Sequence, residues 1–427
     1  MRVLVIGGGG REHALVYGLV NSARVDDVVC APGNAGTAAL AENVDIRPTD
    51  YDALLDLARQ REIALTVVGP EAPLCDGIVD RFEAEGMRIF GPTASAARIE
   101  GDKAYAKHLM KLAKVPTAEA RTFDRFEDAR AYVASRDVGV VVKASGLAAG
   151  KGVSVCADPA DAILALENMM VDRAFGDAGN AVLVEELLKG PELSVFALID
   201  GRTIYILETA QDHKPVGEGD TGPNTGGMGA YSPAPIATPD VMTIVERDIL
   251  VPIVDALRND DARYRGLLYA GLMLTAAGPK VLEFNCRFGD PETQPILLRL
   301  KSDLFDLLDA TVAGRLEHAD VQWDPRPAVC VVMASSGYPK TYESGKVIEG
   351  LVEVGRMNDI QAFHAGTKRV EHLTLSAGGR VLGVTALGSD IADAQRRAYE
   401  ACDKIHFDNA YFRRDIANKA IGCKTST

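Results

Sequence analysis

The stretch Lys143-Ala-Ser-Gly-Leu-Ala-Ala-Gly-Lys151-Gly-Val sets two lysines around a loop with glycines at 146, 150 and 152. Glycine lets backbone N–H groups approach a phosphate without a Cβ in the way, and two lysines on one flap offset polyphosphate charge. The GxxxxGK[ST] spacing is absent, so this is not a P-loop. The alternative is a flexible surface hairpin with solvated lysines. A second stretch, Glu283-Phe-Asn285-Cys-Arg287-Phe-Gly-Asp290-Pro-Glu292, concentrates different chemistry. On a strand, Glu283, Asn285 and Arg287 share one face, because side chains alternate. A carboxylate and an amide oxygen side by side suit a hard cation such as Mg²⁺, which shares its shell with phosphates. Arg287 beside them is placed to hold an anion by a forked contact. The competing reading is a solvent-facing polar strand edge.

Two further groups are less decisive. Asp212-His213-Lys214 opens a segment, 211–235, dense in Gly, Pro, Asp and Asn. A loop of that length in a compact domain is either functional or disordered. Glu185-Glu186-Leu187-Leu188 ends a strand, and such a segment can offer an adenosine an apolar slot and an acidic partner for the ribose. From the residues alone, an ordinary strand end is the simpler reading. The seven histidines show no metal-ligand spacing, and no Ser-His-Asp or Cys-His arrangement can be argued.

The elements that must position these groups fall into three textures. Residues 1 to about 100 alternate short β-rich apolar runs (Val3–Ile6, Val28–Ala31, Leu65–Val68, Arg88–Phe90) with helical stretches (Arg11–Asn21, Tyr51–Arg61), the pattern of a parallel sheet. Each run ends in a loop of Gly, Pro, Asn or Glu, and open parallel sheets bind ligands at those carboxyl ends. From 103 to about 320, strands are expected at Val138–Lys143, Gly152–Cys156, Ala181–Glu185, Glu192–Ile199 and Thr203–Glu208. A hairpin is expected over Tyr269–Asn285 and one helix over Glu292–Ala310. A linker at Gln322–Pro327 leads to strand-like runs at Ala328–Ala334, His372–Leu375 and Arg380–Ala386 and a helix at Asp390–Cys402.

Composition narrows the function. A net charge of −14 argues against a nucleic-acid binder. If the substrates are phosphates, a few placed cations and backbone amides must hold them. Seven scattered cysteines with no CxxC pair argue against a zinc or redox motif and fit a reducing cytoplasm. No signal peptide and no membrane span is expected. The N-terminal glycine run invites comparison with a dinucleotide fingerprint. Its third glycine would be Glu12 counting from Gly7, or His13 counting from Gly8, so an NAD(P)-dependent oxidoreductase is disfavoured.

In this order, these groups resemble the ATP-grasp ligases, and among them the family that joins glycine to phosphoribosylamine. The resemblance runs through Val5–Ala14, Ala31–Gly36, Val68–Leu74, Phe90–Thr93, Lys143–Val153, Gln211–Lys214, Asp220–Pro233, Leu282–Gln294, Phe363–Lys368 and Gly378–Leu382. It implies an α/β and α+β multidomain fold. The parts are an N-terminal parallel-sheet (pre-ATP-grasp) domain at 1–102, an ATP-grasp domain at 103–321 with a lid at about 117–192, and a small C-terminal mixed α/β domain at 328–427. It implies a purine-pathway ligation using ATP and Mg²⁺ (or Mn²⁺). The products are glycinamide ribonucleotide, ADP and phosphate, reached by way of glycyl phosphate.

The resemblance also implies roles. Lys103 and Lys143 face the ATP phosphates, with Gly150, Lys151 and Gly152 as the loop over them. Glu185, Glu186 and Leu188 face adenosine, and Glu192 the ribose. Glu283 and Asn285 are implied as metal ligands, with Arg287 and Lys143 as the catalytic cations. Asp212, Lys214, Asn224 and Arg287 face glycine and phosphoribosylamine, and Gly9, Gly10, Asn34 and Glu71 line the sugar-phosphate crevice. Relatives often carry Asn or Ser where this chain has Gly8, which leaves that loop's geometry open. A cytoplasmic monomer or weak dimer is implied, with no membrane or nucleic-acid partner and with transient contact to neighbouring purine-pathway enzymes. Another ATP-grasp ligase or carboxylase is the alternative within the fold.

Overall fold

Val3 to Ile6 have no exposed surface, so the first strand must be covered on both faces. In the computed structural model, which describes residues 1–148 and 151–421, that strand (Arg2–Gly7) lies at the centre of a five-stranded sheet. The sheet runs Glu42–Asn43, Asp27–Pro32, Arg2–Gly7, Leu65–Val68, Ile89–Phe90, every neighbouring pair parallel. The strand order reverses direction at Arg2–Gly7. Its carboxyl end, together with that of Leu65–Val68, opens the crevice where such sheets take ligands.

A second, antiparallel sheet orders Ile204–Ile206, Glu192–Ile199, Gly266–Thr275 and Gly278–Asn285. It shares its core with the first. Leu4, Ile6 and Val68 pack in one buried cluster with Val195, Leu272 and Val281. The lid differs. Its four-stranded sheet, ordered Ala120–Phe123, Val182–Glu186, Val140–Ala144, Val153–Cys156, encloses a small core of its own under the helices Phe126–Ala134 and Pro159–Leu166. A unit with a separate core can move as a body.

Two departures from the sequence reading matter for the site. The expected single helix over 292–310 is two helices, Thr293–Arg299 and Leu304–Ala313. Leu300 turns extended, Lys301 N–H donates to Gln322 O at 2.9 Å, and Asp303 restarts the helix by accepting from Asp306 N–H. The 211–235 segment is not one open loop. Pro215–Gly217 pairs with Thr221–Asn224, and Gln211–Asp212 pairs with Gly229–Ser232. The Gly229–Ser232 strand then pairs antiparallel with Ala328–Ser335. The third sheet therefore takes two strands from the middle of the chain, next to Ala328–Ser335, Arg380–Leu387 and Ile360–His364. Helix Ile391–Cys402 packs on that sheet.

Candidate active site

Where the three sheets meet, a cavity of about 390 Å³ is bounded by all of them and by the lid. Of the residues singled out from sequence, Glu71, Lys103, Lys143, Gly152, Glu185, Asp212, Lys214, Glu283, Asn285 and Arg287 line it. Gly9, Gly10, Asn34, Lys151, Glu186, Leu188, Glu192 and Asn224 lie off its wall. Gly150 falls outside the described residues.

The lid-side wall is built on lysines. Lys143 is the last residue but one of the inner lid strand Val140–Ala144, and its Nζ reaches Glu185 Oε2 at 3.0 Å and Leu282 O at 3.0 Å. That carbonyl is available because the register jumps here: Gly271 faces Glu283 and Leu272 faces Val281, leaving Leu282 as a bulge. Lys107 reaches the other Glu185 oxygen at 3.3 Å, so one buried carboxylate holds two ammonium groups. Burial pulls the Lys107 ammonium down to about 8, although Glu185 resists. Lys103 is lowered for the same reason, with Glu283 opposing, and donates to Gly146 O at 3.0 Å. Asp102 caps this lysine-bearing helix by accepting from Tyr105 N–H at 3.1 Å.

Beyond the bulge, alternation holds and Glu283, Asn285 and Arg287 all face the cavity. Burial would raise the Glu283 carboxyl, but Lys214, Lys143, Lys103 and Arg287 together hold it below its ordinary value. Its nearest ion partner among the described residues is Lys214, at 4.0 Å. A charged carboxylate with no close partner, beside the Asn285 amide oxygen, is a fit donor pair for a hard cation. No group of three acidic, His or Cys side chains placed to hold a metal ion by itself occurs among the described residues. Such an ion must therefore complete its shell with phosphate oxygens and water, as Mg²⁺ does.

The opposite wall is already paired. Arg287 reaches Glu100 at 3.0 Å and Glu71 at 3.4 Å, which burial alone would disfavour but the two carboxylates stabilise. Glu100 also accepts from Cys286 N–H at 2.7 Å. Its carboxyl is raised by burial, against the pull of Arg287. Asp290 meets Arg380 from the third sheet at 3.3 Å, and Arg380 donates at 2.6 Å to both Gly226 O and Asp290 O. Gly9 and Gly10 pack against Asp290: an added Cβ would lie 3.5 and 3.4 Å from its oxygens. Asn34 spends its amide on the frame, donating to Gly8 O, Gly9 O and His364 O at 2.8 to 3.3 Å. At Gly8 a Cβ would stand 2.5 Å from Gly33 O, so glycine here lets the two loops touch. His13 Nδ1 accepts from His364 N–H at 2.7 Å, and burial holds that imidazole neutral, at about 3.

Between the walls, Lys214 contacts Glu192 at 2.8 Å, which brings Glu192 within one residue of the cavity. Burial raises the Asp212 carboxyl to about 8 against the pull of Lys214, with Glu292 and Glu192 adding to the rise. Glu186 pairs with Lys280 at 2.7 Å instead of facing the cavity. Lys151 is exposed, and Leu188 and Asn224 are half-buried. Arg11, Glu100, Lys107, Tyr269, Asp290, Glu292 and Arg380 line the cavity without having been singled out. Two signals existed: Lys107 stands one helical turn from Lys103, on the same face, and Asp290 and Glu292 sit inside the dense polar stretch after Arg287.

The chain matches three family models in succession: Phosphoribosylglycinamide synthetase, N domain, over residues 1–100; its ATP-grasp (A) domain over 101–293; and its C domain over 328–419. It is 50% identical over 426 residues to a phosphoribosylamine–glycine ligase of Rhodopirellula baltica, covering 98% of each chain. The crystal structure of the Thermotoga maritima phosphoribosylamine–glycine ligase is similar, with a TM-score of 0.84 at 31% identity over 98% of this chain and 100% of that one. The biotin carboxylase domain of a Hydrogenobacter thermophilus 2-oxoglutarate carboxylase shares the fold alone, with a TM-score of 0.74 at 17% identity over 96% and 91% of the two chains.

Proposed function

The chain belongs to the phosphoribosylglycinamide synthetase family, and we infer that it is an ATP-dependent ligase joining glycine to 5-phosphoribosylamine in purine biosynthesis. A carboxylate resists attack because its leaving group would be oxide. Transfer of the ATP γ-phosphoryl group to a glycine carboxylate oxygen releases ADP and gives glycyl phosphate. The phosphoribosylamine nitrogen then attacks the carbonyl, phosphate leaves, and the amine gives up a proton. The observation that carries this reading is the cavity itself. It sets under-neutralised lysines from the lid side against Arg287, with the Glu283–Asn285 oxygen pair between them.

The residue roles belong to the same proposal. Lys103 and Lys143 hold the ATP phosphates, and Lys107, sharing Glu185 with Lys143, joins them. Lys151 and Gly152 lie on the nucleotide side, and Glu185, Leu188 and Glu192 take adenosine and ribose, with Glu186 contributing through its backbone because Lys280 holds its side chain. Glu283 and Asn285 would hold Mg²⁺ or Mn²⁺, which when bound neutralises phosphate charge. Arg287 is fixed by Glu71 and Glu100, so it presents a preset cation to the transferring group, which needs no reorganisation when charge shifts. Asp212, Lys214 and Asn224 face glycine and phosphoribosylamine, with Gly9, Gly10 and Glu71 on the sugar-phosphate side. Asn34 acts there as a positioning residue, because its amide is committed to the loops.

One chain supplies every wall of this cavity. A monomer or weak dimer therefore suffices, with transient contact to purine-pathway neighbours for passing on an unstable amine. No described helix is long and apolar enough to cross a membrane. A cytoplasmic setting follows from the proposed pathway. The test is ADP release with Mg-ATP, glycine and phosphoribosylamine generated in place, leaving out one component at a time. Release requiring all of them, matched by glycinamide ribonucleotide, supports the reading. Release without phosphoribosylamine, or with another carboxylate, moves the substrate assignment to another ATP-grasp enzyme.

A further inference from the structure

The loop bearing Asp212 and Lys214 is held from behind by a segment remote in sequence. Arg413 has no exposed surface, yet it is a full cation. Its Nε and Nη2 grip Asp415 at 2.8 and 2.7 Å, while Nη1 donates to Pro215 O at 2.9 Å and to Asp220 Oδ1 at 3.1 Å. The Asp415 carboxylate also accepts from Gly219 N–H at 2.8 Å, so the guanidinium and its partner clasp both ends of the 215–220 turn. On one side of this clasp, Tyr411 donates to Val216 O at 2.8 Å. On the other, the fully buried His213 ring accepts from Ala417 N–H at 3.3 Å.

His213 stands between Asp212 and Lys214, and a buried ring cannot turn without moving both. We propose that Arg413 is a positioning residue for the ligation: by locking the 213–220 segment onto 411–417, it fixes where Asp212 and Lys214 stand against glycine and phosphoribosylamine. This rests on the reading of that loop as substrate-facing. A buried forked cation is what such a task requires. Lysine cannot reach Asp415, Asp220 and a carbonyl with one nitrogen, whereas a guanidinium presents five donors in a fixed plane. Nothing in the clasp touches Lys103, Lys107 or Lys143, so the nucleotide end does not depend on it.

The experiment compares full-chain Arg413→Lys, Asp220→Asn and Asp212→Ala with the unaltered protein. Asp220 is more than a third exposed, so its variant folds even where an Arg413 change weakens the core. We expect Arg413→Lys and Asp220→Asn to lower kcat/KM for glycine and phosphoribosylamine roughly ten- to a hundredfold, because small misplacements of reacting groups cost rates of that order. ADP affinity, measured by calorimetry on the same preparations, stays within about twofold, as expected of a remote site. Lower melting temperatures with unchanged kcat/KM for both substrates would overturn the proposal and leave Arg413 structural. An equal loss of ADP affinity would overturn it too. If Asp212→Ala leaves both substrates unaffected, the substrate-facing reading fails. If Asp212→Ala harms them and the Arg413 and Asp220 variants do not, the clasp fails alone.

Discussion

The two walls of the cavity use charge in opposite ways. On the lid side, Lys107 and Lys143 share the single carboxylate of Glu185 with Lys103 beside them, and two of the three ammonium groups are depressed by burial. On the facing wall, Arg11, Arg287 and Arg380 are matched by Glu12, Glu71, Glu100 and Asp290 in pairs of 2.6 to 3.4 Å. The first wall lacks negative charge and gains most when a polyphosphate arrives. The second is complete before anything binds; the first draws Lys143 and Glu185 from the lid, which has a core of its own, and Lys103 and Lys107 from a helix on the shared core. One wall is built to be finished by a ligand, and the other to hold its shape while the ligand reacts.

The sharpest way to break this contrast is at the seam between the walls. Glu283→Gln should cut turnover on the order of 10³-fold in ADP release, with an unchanged circular dichroism spectrum. Turnover that stays near the unaltered level, with an unchanged Mg²⁺ dependence, would remove Glu283 from the metal site. Next comes the preset wall. Arg287→Lys should lower kcat about a hundredfold, because one ammonium cannot serve Glu71 and Glu100 together. Arg287→Met should also lower stability by about 3–5 kcal/mol in denaturant titration, since it strands a buried carboxylate.

On the unfinished wall the effects are smaller and depend on pH. Lys107→Gln should raise the KM for ATP roughly tenfold, the scale of one charge-assisted contact. The protonated lysine is the form that attracts phosphate, so nucleotide affinity in the unaltered protein should weaken as pH rises through about 8, the value to which burial lowers it. Lys107→Arg should flatten that dependence; a slope that survives it places the titrating group elsewhere. The mildest probe is thermal. The folded Asp212 carboxyl, at about 8, lies above its ordinary value, so its contribution to stability is full at low pH and fades as pH rises toward 8. Asp212→Asn copies the protonated form. It should melt above the unaltered protein by a margin that widens from about pH 5 to about pH 8 and then levels off.

The unfinished wall was the more legible of the two in sequence. Lys143 and Lys151 stand out because glycines surround them, and Glu283 and Asn285 because strand alternation puts them on one face. The finished wall hides its members. Glu100 sits in Arg98-Ile-Glu-Gly-Asp, which reads as a solvated helix end, and only the approach of Cys286 and Arg287 shows it to be buried. Arg380 opens an ordinary strand, and nothing local links it to Asp290. The parallel strands at Val3–Ile6 and Leu65–Val68 were legible because burial on both faces leaves an apolar run. The pairing of Gly229–Ser232 with Ala328–Ser335 was not, since the partner of a short strand is set by distant chain and not by its own residues. The break at Leu300 escaped notice because the apolar pattern continues through it, while the hydrogen bonds that end the helix come from residue 322.

That borrowed strand bears on how the protein is made. Gly229–Ser232 leaves the ribosome well before Ala328–Ser335, so for an interval it is an unpaired edge exposing Tyr231 and Met228, both buried in the finished fold. A nascent chain in that interval holds the lysine-bearing wall but still lacks Arg380 of the facing one, and its open edge is where a premature stop or a slow codon would invite aggregation.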